Sequence, residues 1–161
     1  NRDYLIGKKF AKKTNITILP DHELIKLGKE KVIILHGDTL CTDDKKYQRF
    51  RRFARSWISK KIFLLFPKYL KDYIFKFARK KSDNDKKFKE KDIMDVNAFA
   101  VEKLFNEFKN PPIMIHGHTH RPKTHNYMFN GVKSKRVVLS DWYNSGSFLV
   151  WNKGKLKNIK I

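Results

Sequence analysis

Two short apolar runs in this chain end in the same way. Val32-Ile33-Ile34-Leu35 leads straight into His36-Gly37-Asp38, and Ile113-Met114-Ile115 leads into His116-Gly117-His118-Thr119-His120. Short uninterrupted apolar runs bounded by turn formers predict strands buried on both faces of a sheet. Such strands deliver side chains to the carboxyl edge of an α/β sheet. Between the two runs the period changes. Tyr47, Phe50, Ala54, Trp57 and Ile58 recur at the spacing of one helical face, with Arg49, Arg51, Arg52 and Arg55 on much of the remainder. Pro67 interrupts the apolar run 62–66, and a second helix is expected with Leu70, Tyr73, Ile74 and Phe77 inward and Lys68, Lys71, Lys76 and Arg79 outward.

The pattern divides the chain into three zones. Residues 1–44 read as α/β: a helix around 6–12, a strand at 16–19 and the buried strand 32–35. A helical insertion occupies about 45–110, including a charged connector from Lys80 to Lys91. Pro111-Pro112 marks the return to short strands at 113–115, 137–139, 148–151 and 156–159. One domain with a helical insertion between two histidine-bearing strands is the predicted organisation of 1–161. Asn144-Ser145-Gly146-Ser147 reads as a turn.

Composition narrows the partners. The 161 residues suffice for a core of their own, and 37 Lys+Arg against 16 Asp+Glu give a net charge of +21. That excess implies polyanionic company: a nucleic acid, an anionic membrane surface or a phosphorylated substrate. Cys41 is the one cysteine, so no disulfide framework holds the fold, and a small buried residue is the expected role. No apolar run approaches the roughly 20 residues that span a bilayer.

The histidines carry the chemistry. Neutral imidazole is the commonest nitrogen ligand of borderline transition metals. In an extended segment His118 and His120 would face one point. A single histidine is ordinarily a core or surface residue, and that is the reading preferred for His116, which ends its strand. Two of six histidines in Gly-His-Thr-His and a third in His-Gly-Asp, each after a buried strand, point instead to a metal site. Asp38 and Asp95 are candidate acceptors behind metal-bound imidazoles, although Asp38 also suits a turn after Gly37.

Asn1-Arg2-Asp3, then His36-Gly37-Asp38, then Gly117-His118-Thr119-His120 resemble the motifs of the calcineurin-like metallophosphoesterases. The nine residues from His36 to Asp44, with Ile93 to Asn97 and His116 to Pro122, narrow the resemblance to the UDP-2,3-diacylglucosamine diphosphatase family of lipid A biosynthesis. The resemblance implies a four-layer α/β/β/α sandwich with a helical cap above the metals. It implies Mn²⁺ as cofactor, two ions in the complete enzyme, with Asn1, His36 and His118 holding one ion and His120 the other. Two such ions lower the pKa of a bridging water and clamp phosphoryl oxygens, so hydrolysis to UMP and 2,3-diacylglucosamine 1-phosphate needs no serine or cysteine nucleophile.

The same resemblance makes Arg2 a catalytic residue that grips phosphate bidentately, where its motif-free reading would be a surface arginine. His118 serves catalysis and substrate as well as metal. Asn1, Arg2, Asp44, Ser82 and Lys89 are the other expected substrate contacts, while Lys86 stands where the family carries Asn. The cap helices would hold acyl chains and rest on the anionic cytoplasmic face of a bacterial inner membrane, with no specific nucleic acid as partner. The Asp-x-His and Gly-Asp motifs that open the family do not occur here. The expectation is therefore the carboxyl-terminal two-thirds of a longer enzyme whose first strands are missing, with weak metal binding and negligible turnover on its own. The alternatives are a metal-dependent phosphodiesterase or nucleotidase acting on a soluble substrate, and a basic nucleic-acid-binding module.

Overall fold

The computed structural model describes residues 5–88, 95–129, 131–142 and 146–161, with side chains described over the same residues except 81–88. The chain divides into two compact units, one of residues 18–42 and 96–161, the other of residues 1–17 and 43–95.

The first unit contains a five-stranded sheet. Its strands are β1 (His22–Leu27), β2 (Glu30–Leu35), β3 (Ile113–His116), β4 (Thr124–Phe129) and β5 (Val132–Val138), in the order β1-β2-β3-β5-β4. The three central strands β2, β3 and β5 run parallel, and the edge strands β1 and β4 are antiparallel to their neighbours. Unbroken apolar runs suit the middle of such a sheet: Val32, Ile33, Ile113 and Met114 are all buried. A separate hairpin pairs β6 (Ser147–Asn152) with β7 (Lys155–Lys160). The α/β class expected from the pattern is the class found.

One helix of this unit, α5 (Ala98–Glu107), closes the core. Asn97 caps it by accepting from the Ala100 N–H at 3.2 Å, an arrangement that contributes about 1 kcal/mol. Its buried Val101, Leu104 and Phe105 pack with Ile33, Leu40 and Met114. Phe105 also meets Phe129 and Tyr127 of β4, with ring centroids 5.1 and 5.8 Å apart. The period-two alternation of β4 puts both rings on one face.

The strand expected at 16–19 is not there; Ile16, Ile18 and Leu19 are exposed, and the strand is β1. β1 pairs with β2 across the two-residue turn Gly28-Lys29, where Gly28 takes the positive φ of +62° that such a hairpin requires. Strand β4 was not anticipated either. Its residues Thr-His-Asn-Tyr-Met-Phe alternate only weakly, yet the following Asn130-Gly131 is a strong hairpin signal.

The second unit is helical: α1 (Lys8–Thr14), α2 (Lys45–Arg55), α3 (Trp57–Leu65) and α4 (Lys68–Phe88). The single face expected to run from Tyr47 to Ile58 is cut at Ser56. Ser56 adopts an extended ψ of 145° and caps α3, its Oγ accepting from the Ser59 N–H at 3.2 Å, so Trp57 and Ile58 belong to a new helix. The charged connector expected from Lys80 is helical as far as Phe88, consistent with the lack of Gly or Pro between Lys68 and Phe88. Phe63 packs edge-on against Phe75 at 5.3 Å, and Lys71 donates to the Leu64 carbonyl at 2.9 Å, which fixes the α3–α4 bend at Pro67. Leu70 and Ile74 are half-buried, whereas Tyr73 and Phe77, expected inward, are exposed. Among the described side chains of this unit no apolar residue is buried. No helix among the described residues is long and apolar enough to cross a membrane.

Candidate metal centre

The parallel register pairs Leu35 with His116, so the residues that follow, His36 and Gly117, emerge side by side. The Gly117 N–H donates to the His36 carbonyl at 3.0 Å and stitches the two turns together. Gly37 sits in the left-handed region at φ 109°. A Cβ there would lie 2.8 Å from His116 Nδ1 and 2.9 Å from the Gly117 carbonyl oxygen. No larger residue fits without moving backbone, which gives the His-Gly-Asp motif its glycine a physical reason. Asp38 is buried and opens a short 3-10 turn, Asp38–Leu40, that His22 steadies through a 2.8 Å contact with Thr39 Oγ1. The Cys41 thiol points to the Gly37 carbonyl and is buried, as a small core residue would be.

The turns bring two imidazoles together. His118 Nδ1 lies 3.2 Å from His36 Nε2, with ring centroids 5.0 Å apart and planes at 69°. Burial, reinforced by the adjacent His36, pushes the His118 pKa from 6.5 down to about 4, with the Asp38 carboxylate opposing the shift. His118 is therefore neutral at physiological pH, the form that ligates metals.

The spacing meets a simple test of fit. Two nitrogens about 2.1 Å from one ion, at octahedral or tetrahedral angles, stand about 3.0–3.4 Å apart. The pair falls within that interval; without an ion the same 3.2 Å contact is a hydrogen bond from one ring to the other, and loss of the shared proton would let both nitrogens ligate. Among the described residues no group of three or more His, Cys, Asp and Glu gathers as a metal cage. His36 and His118 are in direct contact, and Asp38 and His120 lie near enough to act on His118 electrostatically.

The other histidines differ. His116 is fully buried, with Nδ1 at 2.8 Å from the Gly117 carbonyl and Nε2 at 2.9 Å from an Arg136 nitrogen, so both ring nitrogens are engaged inside the protein. This agrees with a structural role. His118 and His120 both have positive φ, 69° and 54°, so the segment bends and is not the extended stretch first expected. His120 faces Asp141, Nδ1 to Oδ2 at 3.6 Å. Arg136 and Asp141 carried no signal in the sequence reading; both are ordinary charged residues there.

Of the remaining expected site residues, Asn1, Arg2 and Lys89 lie outside the described residues, and Ser82 falls on α4 where side chains are not described. Asp44 is buried in the helical unit and caps α2, its carboxylate accepting from the Tyr47 N–H at 3.0 Å. Asp95 belongs to that unit as well.

No family model matches the chain. The chain is 47 % identical over 156 residues to the UDP-2,3-diacylglucosamine hydrolase of Vibrio parahaemolyticus, covering 94 % of this chain and 62 % of that protein. Against the protein of the same name from Proteus mirabilis the identity is 41 % over 161 residues, covering 100 % and 67 %. Against that from Aromatoleum aromaticum it is 44 % over 152 residues, covering 94 % and 62 %. The chain thus spans a little under two thirds to about two thirds of these relatives. Among solved structures, vacuolar protein sorting 29 from Cryptosporidium parvum superposes with a TM-score of 0.37 at 11 % identity, covering 89 % of this chain and 57 % of that one, too loosely to bear on the site. With relatives of one name matching it end to end, the chain belongs to the UDP-2,3-diacylglucosamine hydrolase family.

Proposed function

We propose that this chain carries the metal-binding and capping portion of a hydrolase that cleaves the pyrophosphate of UDP-2,3-diacylglucosamine, giving UMP and 2,3-diacylglucosamine 1-phosphate. The observation that carries the reading is the His36–His118 pair, held at 3.2 Å at the carboxyl ends of two neighbouring parallel strands. Two divalent ions supply a low-pKa water and neutralise phosphoryl charge in such reactions. The residues proposed to hold them are Asn1, His36 and His118 for one ion and His120 for the other, with Asp141 behind His120. Imidazole together with amide oxygen suits Mn²⁺.

In the same reading Arg2 binds the phosphate bidentately and offsets its developing charge, and His118 contacts the substrate while ligating the metal. Asn1, Asp44, Ser82 and Lys89 contact the nucleotide-sugar headgroup. The insertion at about 45–110 acts as a lid. Its exposed aromatic residues accept the acyl chains, and its Lys and Arg residues rest on the anionic cytoplasmic face of the inner membrane, at about 1 kcal/mol per cation near the surface. A soluble-substrate phosphodiesterase would gain nothing from so much exposed apolar surface.

The test is UMP release from UDP-2,3-diacylglucosamine by the full polypeptide in the presence of Mn²⁺. Replacing His36 or His118 by Ala should lower turnover at least a hundredfold. Undiminished turnover in both variants would overturn the reading, and a steeply salt-dependent RNA affinity without hydrolysis would favour the nucleic-acid alternative.

A further inference from the structure

Arg136, on the central strand β5, is only 4 % exposed. Its described hydrogen bonds go to two uncharged groups: one terminal nitrogen donates to His116 Nε2 at 2.9 Å and Nε donates to the Tyr127 hydroxyl at 3.1 Å. A guanidinium in the interior is costly to keep, and an arginine can only donate. The first bond therefore dictates the state of the histidine. With Nε2 accepting, the ring proton must be on Nδ1, which then donates to the Gly117 carbonyl at 2.8 Å.

That carbonyl is the hinge of the candidate metal centre. It also accepts from the Thr119 N–H at 2.9 Å, while the Gly117 N–H bonds His36 and the His116 carbonyl accepts from Leu139 at 2.8 Å. His118, the next residue, sits at φ 69°, a left-handed conformation that is strained for a residue with a Cβ. Such a conformation persists only where its surroundings over-determine it. The opposite tautomer of His116 would set a lone pair against the Gly117 carbonyl and remove the bond that holds this turn.

We propose that Arg136 is a positioning residue of the metal centre: it fixes His116 as the Nδ1–H tautomer, and the resulting bond to Gly117 holds the turn that presents His118 Nδ1 to His36. The proposal rests on reading His36 and His118 as joint ligands of one divalent ion. Tyr127, bonded to Nε, sets the rotation of the guanidinium.

Two measurements on the full chain test it. The first is the imidazole ¹⁵N spectrum of the wild-type protein, which needs no variant and reports the tautomer directly. His116 should be the Nδ1–H form, and any other state of that ring overturns the proposal. The second is titration with Co²⁺ alone, followed by its d–d absorption. Arg136→Met should weaken binding about tenfold, the low end of what losing an outer partner of a metal ligand costs, because Arg136 acts through His116, which is not itself a ligand. Arg136→Lys keeps a donor toward Nε2 and should recover most of that loss, a rescue that a space-filling role would not give. Binding by Arg136→Met within twofold of wild type, where His118→Ala abolishes it, overturns the proposal and leaves the metal reading intact. Equal binding by wild type and His118→Ala brings down both. Should Arg136→Met fail to fold, the wild-type tautomer and Arg136→Lys decide the matter.

Discussion

In the sheet unit, Ile33, Phe105 and Met114 are fully buried and their neighbours interlock around α5, whereas in the helical unit Phe53, Trp57, Leu65 and Tyr69 are 68–84 % exposed. Similar residue types are put to opposite uses. In the first unit apolar surface is removed from water and fixes the fold; in the second it is displayed. Apolar surface on this scale, interleaved with Lys and Arg, marks a binding surface more often than a packing failure. The sheet unit thus holds its histidines in a packed frame, and the helical unit leaves its large apolar side chains open to solvent.

The largest effect is expected in the core of the sheet unit. Phe105→Ala should cost about 3–5 kcal/mol, measured by urea unfolding, because it empties the volume shared by α5, β3 and β4. A loss below 1 kcal/mol would mean that the sheet unit is not the stable half. Gly37→Ala comes next. The positive φ and the 2.8 Å approach to His116 together should cost about 1–3 kcal/mol and weaken metal binding, since the substituted Cβ presses on the turn that carries His118. A variant as stable as wild type would show that the two His-Gly turns are not tightly docked.

A smaller effect is expected from pH. The folded pKa of His118 is lowered to about 4 from 6.5, so between those values the unfolded chain holds a proton that the folded chain does not. Stability of the metal-free protein should thus fall as pH drops from about 6.5 to about 4, and His118→Gln should flatten that part of the profile. A urea midpoint unchanged across the window in the wild type would contradict the burial of this ring. The smallest stability change belongs to the helical unit. Trp57→Asp should stay within about 0.5 kcal/mol of wild type because Trp57 is largely exposed. The same variant should lower turnover of the diacylated nucleotide sugar at least about tenfold while keeping that of its deacylated counterpart, if the proposed lid holds the acyl chains. Equal losses on both would remove the acyl-binding role of the lid.

What could be read from the chain follows the same division. The strands β2 and β3 were legible because unbroken apolar runs stop at His-Gly, and the spacing of those motifs led to His36 and His118. Strand β4 was missed because its alternation is too polar to stand out, although Asn130-Gly131 marks its hairpin. The break between α2 and α3 was hidden because apolar residues keep a helical spacing across Ser56, whose hydroxyl ends the segment. Arg136 was invisible in principle. Among 37 Lys and Arg residues nothing local distinguishes the one that β5 carries into the interior. His116 and His118, two residues apart in one motif, acquire different surroundings from strand register and backbone conformation alone.

The most direct test of the central claim is calorimetric titration of the wild-type chain and of His36→Ala and His118→Ala with Mn²⁺. Convergence of the two imidazoles on one ion predicts that either substitution weakens binding at least tenfold and that the double variant is little worse than either single one. Binding unchanged in both single variants, or losses that simply add, would contradict a shared site.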